Sequence, residues 1–419
     1  MKRCLLAGVP LVNAGYGLHS RQILFALSQK FDTACQARGW GECSWIYNET
    51  AEKRFIISAI QKYQFWQQSR LTPDFSVQIS VPNEFMNNMA PRNIGVTAGI
   101  ETDRVKPEWI LKCNEMNLVI VPSTFVKDTF EKTTYQSQDG GVLKLTTPIE
   151  VVPESADTSI FNETETADLD IDDMKTSFNF LTVGQWGIGD ADRKNITLLI
   201  KTFKETFKEH RDKEKIGLVL RVNSIAGSLI DEDYTLKKIK SIINEYPEFP
   251  KIYLIHGFMS NEELARLYKD SRVKALISIT HGEGYGLPLL EAAACNLPVI
   301  ATAWSGHCDF LNKGKWIRLP YELKDIGFQN DLFQPGSRWA FVDIEETKRH
   351  MKKIYERWDV PKSWAIELGK KIREEYSIKK IEDQYFEVMK KYGFLNDEAE
   401  NTIADSIFSN VNMEEVTCL

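Results

Sequence analysis

The sequence has no run approaching about 18 uninterrupted apolar residues, so no helical membrane span is expected. Its seven cysteines (Cys4, Cys35, Cys43, Cys113, Cys295, Cys308 and Cys418) include no C-x-x-C pair and form no even framework. That pattern fits free thiols in a reducing compartment, and a cytoplasmic location is the expectation. The six histidines are as scattered as the cysteines, which leaves no zinc-type ligand set. The first β-to-α loop lacks G-x-G-x-x-G, which argues against a dinucleotide-dependent oxidoreductase. Met1–Val12 begins like a secretion signal but has no small-residue cleavage site, and it runs straight into Asn13-Ala14-Gly15-Tyr16-Gly17. A buried first strand and a glycine loop is the better reading.

Basic residues are also short, with 52 Lys and Arg against 59 Asp and Glu, a net charge of −7 over 419 residues. Residues 162–174 and 396–419 hold six acids each and no base, and the rest of the chain carries +5. The acidic total therefore says little against a phosphate-rich ligand. The first segment reads as a surface linker and the second as a mobile tail.

Between these segments, short apolar runs alternate with amphipathic ones. Cys4–Val9, Ser76–Val81, Asn93–Thr97, Leu118–Pro122 and 148–153 read as strands, with helices at Leu18–Lys30 and from Ser123. After the acidic segment the rhythm restarts at Phe178–Val183 and closes at Val299–Ala303. Three helices, Glu345–Trp358, Ser363–Tyr376 and Ile378–Tyr392, follow. This is α/β alternation, hence parallel sheets covered on both faces. Two such domains are expected, 1–161 and 175–377, with a terminal helix over 378–395 crossing back to the first. In open sheets of this kind ligands bind beyond the C-terminal strand ends, so chemistry is sought in those loops.

The strongest loop is His281-Gly282-Glu283-Gly284-Tyr285-Gly286-Leu287-Pro288-Leu289-Leu290-Glu291. Glycines let backbone approach a ligand, Pro288 suits a first helical turn, and the unbonded amides of that turn attract anions. The stretch resembles the E-x7-E motif of family-4 retaining glycosyltransferases, and the resemblance continues through Pro298-Val299-Ile300-Ala301-Thr302 and Asp309-Phe310-Leu311. It implies the GT-B fold, a nucleotide-sugar donor (UDP-sugar favoured) and no cofactor. Glu283 would then lie near the donor sugar, Glu291 at the ribose and the amides of the Gly286–Leu287 turn at the pyrophosphate, with Gly284 and Tyr285 among the donor-binding residues.

Gly184 with Arg193-Lys194 resembles the family's diphosphate-holding loop. Cations at a helix start oppose the dipole and need another reason to be there. Gly15-Tyr16-Gly17 resembles the glycine loop facing the donor phosphate, whereas His19 and Ser20 read as a surface helix start. Gly257-Phe258-Met259 resembles the base-binding turn. Glu101, in the Glu101-Thr102-Asp103 loop, stands where many members have a catalytic-site histidine, in a form similar to tailed-phage glycosyltransferase-like proteins. Glu283, Arg193, Lys194 and Glu101 are the catalytic expectations. Val152-Pro153-Glu154-Ser155 reads as structural. Three D-x-D strings, Asp170/Asp172, Asp190/Asp192 and Asp231/Asp233, read as chance, and no metal is expected.

The resemblance implies same-face transfer to a hydroxyl. Gln36–Arg70 interleaves Trp40, Trp45, Tyr47 and Trp66 with Arg38, Lys53, Arg54 and Lys62, either as a nucleic-acid contact or as a helix packed on the sheet. With the phage-like features, a hydroxymethylated DNA pyrimidine is the specific acceptor expectation. Polysaccharide, lipid or protein acceptors are the alternative, and a non-catalytic sugar-nucleotide-binding protein is the alternative of another class. The oligomeric state is not legible.

Overall fold

The computed structural model describes residues 1–396, excluding 41–45, 47–48, 137–139, 172, 188, 190–191, 225–226 and 328–332. The first half runs β1 (Arg3–Gly8), α1 (Gly15–Ser28), β2 (Asp32–Ala37), α2 (Ala51–Gln68), β3 (Phe75–Ile79), β4 (Asn93–Val96), α3 (Pro107–Asn114), β5 (Leu118–Val121) and α4 (Thr124–Lys132). A short hairpin, β6 (Tyr135–Gln136) and β7 (Val142–Leu143), then precedes β8 (Ile149–Val151). Its six-stranded parallel sheet has the order β2-β1-β3-β4-β5-β8. All residues of β3 and β5 are buried, as expected where helices cover both faces. A polar residue of β3 pairs with one of β4: the Ser76 hydroxyl donates to Asn93 Oδ1 at 2.7 Å.

The second half repeats the plan: β9 (Phe178–Gln185), α5 (Ile196–Phe207), β10 (Ile216–Asn223), α6 (Leu229–Ile243), β11 (Lys251–Ile255), α7 (Asn261–Lys269), β12 (Val273–Ser278), α8 (Leu287–Ala294), β13 (Val299–Thr302), α9 (Cys308–Leu311) and β14 (Ile317–Leu319). Its parallel sheet has the order β11-β10-β9-β12-β13-β14. The series therefore does not close at β13. One more strand joins the edge, followed by the antiparallel hairpin β15 (Tyr321–Asp325) and β16 (Arg338–Val342). Alternation was a weak signal there because Ile317–Leu319 is only three residues long.

α10 (Ile344–Glu356), α11 (Asp359–Glu375) and α12 (Ile378–Lys391) complete the described chain. α12 lies on the first half. Tyr385 Oη is 2.7 Å from His19 Nε2, and the Tyr392 hydroxyl donates to Glu150 at 2.7 Å. Lys2 Nζ and Arg92 donate to the carbonyls of Phe394 and Tyr392 just beyond it.

Of the two readings of residues 36–70, the structure supports the helix packed on the sheet. The 36–70 stretch gives β2 and α2, and α2 buries Ile56, Ala59 and Trp66. Trp66 is 4% exposed, so it is core and not a nucleic-acid contact. Trp45 and Tyr47 lie outside the described residues, as do residues 397–419 of the acidic tail. The described residues of the acidic segment 162–174 are anchored on later parts of the chain. Asp168 accepts from the backbone and hydroxyl of Ser271, Arg373 pairs with Glu163, and Arg272 donates to the Leu169 carbonyl. Bases elsewhere in the chain thus neutralise part of it.

Candidate active site

β12 delivers Thr280–Gly286 to the C-terminal edge of the second sheet, facing the loops of the first. Gly286, the residue capping α8, has φ +101°, a conformation that glycine adopts without strain. The amides of Leu289 and Leu290 turn back to the Gly286 carbonyl, Pro288 has no N–H, and among the described residues the amides of Gly286 and Leu287 meet no acceptor at the helix start.

Glu283 is 5% exposed. One carboxylate oxygen is 2.6 Å from Lys194 Nζ and the other is 3.0 Å from Arg193 Nη1. Arg193 also reaches Glu101 of the first half at 3.3 Å. The two loops are stapled together, since His281 N donates to the Arg193 carbonyl at 2.8 Å. Asn195, with φ +58°, turns the chain into α5 just beyond the cations. Burial would raise the Glu283 carboxyl, but Lys194 and Arg193 outweigh it and hold it well below the ordinary range. Burial pulls Lys194 down against the Glu283 charge. Burial would also lower Arg193, but Glu101 and Glu283 overcome it and push it up. Glu283, Arg193, Lys194 and Glu101 therefore form one cluster of two cations and two carboxylates, contributed by both sheets. Gly184 adjoins it, for a Cβ there would stand 3.1 Å from Lys194 Cε.

Glu291 stands apart from this cluster. It is 7% exposed, accepts from the Tyr268 hydroxyl at 3.2 Å, and is pushed up to about 8 by burial. Glu154 is 4% exposed and likewise pushed up to about 8, by burial and by the Glu291 charge. Its Oε2 has no hydrogen-bond partner among the described residues, and Oε1 is 3.9 Å from His19 Nδ1. Burial holds the His19 imidazole down at about 4, so it is neutral. Burial thus favours the protonated form of both carboxyls, which can donate to a hydroxyl as well as accept from one.

Sequence reasoning named Glu291 but missed the residues that surround it. Glu154 was read as structural, and His19 and Ser20 as a surface helix start, yet they are 2% and 0% exposed. The available signal was the four-residue spacing of His19, Ile23 and Leu27, which puts the histidine on the apolar face.

The remaining candidates divide. The Tyr16 hydroxyl is 3.1 Å from Thr97 Oγ1 and accepts from Ala98 N at 3.0 Å, and its ring lies 4.7 Å from that of Trp40. Tyr16 thus ties the Gly15–Gly17 loop to the loop bearing Glu101, with Gly17 buried against the Val12 carbonyl. The Gly257 carbonyl accepts from Arg221 at 2.8 Å, Phe258 is 67% exposed, and Met259 packs on the core. Ser123 Oγ donates to the Gly284 carbonyl at 2.7 Å, and a Cβ on Gly284 would collide with the Ala98 carbonyl. Tyr285 turns its side chain inward. It is 4% exposed and its hydroxyl donates to the Glu154 carbonyl at 2.7 Å, so only its backbone is open to a ligand. Leu287 likewise packs on the core.

In the one D-x-D string with both members described, Asp231 and Asp233 take separate partners. Asp231 is bonded to Ser224 N and His256, while Asp233 pairs with Lys237. Asp192 accepts from Trp186 and Thr197, and Asp172 and Asp190 lie outside the described residues. Among the described residues no group of three or more His, Cys, Asp and Glu is placed to hold a metal.

The β15–β16 hairpin braces the site from outside. Ala340 N donates to the His281 carbonyl at 3.1 Å, and His281 Nδ1 donates to the Ala340 carbonyl at 2.7 Å. The His281 ring stacks on Trp339 at 4.9 Å. Trp339 and Phe333 belong to the apolar cluster of the first half, with Trp109, Ile110 and Phe130. Arg338 pairs with Asp103 at 2.7 Å.

Two parallel, Rossmann-like α/β domains facing one another across such loops define the GT-B class of fold. Its solved neighbours share that architecture. The sucrose-phosphate synthase of Thermosynechococcus elongatus superposes with a TM-score of 0.66 at 12% identity, covering 94% of this chain and 100% of that one. The Anabaena protein HepE, in complex with UDP and glucose, gives 0.62 at 13% identity over 93% and 100%.

Within this class, residues 188–326 match the family described as Glycosyl transferases group 1. A probable sucrose-phosphate synthase of Thermosipho melanesiensis is 28% identical over 163 residues, 38% of this chain and 35% of that protein. The chain thus spans about a third of the length of that curated relative.

Proposed function

We propose that this chain is a glycosyltransferase that moves a sugar from a nucleotide-sugar donor, a UDP-sugar, to a hydroxyl acceptor, with retention and without a metal. The observation that carries this reading is the convergence of Arg193, Lys194 and Glu283 beside the open amides at the start of α8. A diphosphate bound there would meet two fixed cations and two N–H groups. Cations already in place stabilise the charge that builds on a departing diphosphate, with little reorganisation at the moment of bond cleavage. Glu283 would receive hydroxyls of the donor sugar, and Glu291, held by Tyr268, those of the ribose. The HepE structure in complex with UDP and glucose supports the choice of donor.

Retention without a second displacing carboxylate implies same-face attack, with donor phosphate taking the acceptor proton. The chain's own part is to hold both substrates in reacting geometry. The test is release of UDP from UDP-sugars, with acceptors that include hydroxymethylcytosine-bearing DNA and oligosaccharides. Acceptor-dependent release, abolished in Glu283→Ala, is expected. Absence of release with every UDP-sugar would refute transfer, and binding without turnover would make the chain a sugar-nucleotide-binding protein.

A further inference from the structure

Beside the cluster, three aromatic rings lead away from it that no part of the donor reading uses. Trp304, in the loop after β13, has its ring 2.9 Å from where a Cβ on Gly282 would stand, and the Glu101 carbonyl abuts the same point. The ring therefore begins one residue from Glu283. Phe125, from α4 of the first half, meets Trp304 edge-on with centroids 4.9 Å apart. Tyr321, at the start of β15, follows on the outer side at 6.3 Å and is 38% exposed. Trp304 and Phe125 are half-buried, neither sealed in a core nor fully wet. The Trp304 indole N–H makes no hydrogen bond among the described residues, so it is a donor left over beside an apolar face.

We propose that Phe125, Trp304 and Tyr321 form the acceptor platform, and that the acceptor is a saccharide chain lying along them with its terminal hydroxyl at the Glu101–Arg193–Glu283 cluster. This rests on the glycosyl-transfer reading and names its second substrate. An aromatic face carries negative quadrupole charge, which attracts the polarised C–H groups on the flat side of a pyranose, while edge N–H and O–H groups serve its hydroxyls. Charge decides against the other stacking ligand, a nucleobase in a DNA strand. Affinity for nucleic acid comes largely from cations on phosphates. At this rim Arg338 is paired with Asp103 and Lys324 with Glu322, while Arg318 donates to Asn312 and lies over the Trp316 ring. An uncharged glycan needs no such cations.

The test uses the full chain with UDP bound, and saturation-transfer NMR with three probes: maltotriose, a mannose trisaccharide and a hydroxymethylcytosine oligonucleotide. Transfer from aromatic protons to a trisaccharide is expected. Tyr321→Ala, on an exposed strand end where folding is not at stake, and Trp304→Ala should each weaken it by about fivefold or more, with Tyr321→Phe restoring it. No transfer to either trisaccharide, undiminished transfer in Tyr321→Ala, or saturation of the oligonucleotide instead would overturn the platform. UDP titration keeps the two readings apart. UDP bound with no saccharide response removes the platform alone, whereas failure to bind UDP removes the transfer reading beneath it.

Discussion

Replacing Glu283 by Gln keeps the shape of the side chain and deletes its charge. Glu283 is 5% exposed and divides its oxygens between Lys194 at 2.6 Å and Arg193 at 3.0 Å. Removing one member of a buried pair costs about 3–5 kcal/mol, because the partners stay desolvated. Here the Arg193 and Lys194 side chains keep 24% and 13% exposure and Arg193 retains Glu101, so about 2–3 kcal/mol is expected. A second effect has the opposite sign. In the unliganded chain the carboxylates occupy the cations that a diphosphate would use. Without the Glu283 charge, UDP should bind about tenfold tighter, or about 1.4 kcal/mol, and recover part of the lost stability. Turnover should fall about a hundredfold or more.

Urea unfolding with and without UDP, and calorimetric UDP titration, read both effects. The wild-type advantage has a pH signature as well. A carboxyl whose folded pKa is depressed stabilises fully above its unfolded value of about 4.3, and the gain drains away as pH falls below it. A variant as stable as wild type at neutral pH, or one that binds UDP no better, would refute the reasoning.

Glu154 should behave oppositely, since its folded pKa is raised to about 8. The native state keeps a proton that the unfolded chain loses near 4.3, so stability is highest below that value and declines up to about 8. Glu154→Gln, neutral throughout, should flatten this decline and exceed wild type at pH 9, measured as urea midpoints at pH 5, 7 and 9. Parallel midpoints would contradict it. Gly284→Ala should force the loop off the Ala98 carbonyl and cost transfer activity along with roughly 1–3 kcal/mol of stability, checked by turnover and thermal unfolding. Asp309→Ala removes two rim contacts to Thr124, both 2.6 Å long and exposed, and should cost no more than about 1 kcal/mol in the same unfolding assay.

The alternation of apolar runs with amphipathic ones revealed most strands and helices, because parallel strands buried on both faces leave a clear trace. The start of the Leu287–Ala294 helix was legible from Pro288 and the glycines before it. Motif residues brought Glu283, Arg193, Lys194 and Glu101 to one place. Glu154 was not legible because nothing local marks a carboxyl whose surroundings, His19, Tyr385 and Glu291, arrive from distant elements. The same holds for the aromatic row: Phe125, Trp304 and Tyr321 come from separate elements of two halves. The β15–β16 hairpin was missed because its strands are partly exposed and their pattern is mixed.

That hairpin has a mechanical meaning. It leaves the second sheet, sets an indole into the apolar bed of the first, and grips His281 by two backbone-carbonyl hydrogen bonds on the way. Two lobes joined only by a linker could swing wide at little cost. Here each degree of swing must either draw Trp339 out of its bed or peel β16 from the loop that carries Glu283. The hairpin is a tether, and its slack sets how wide the mouth opens and how bulky a molecule can pass.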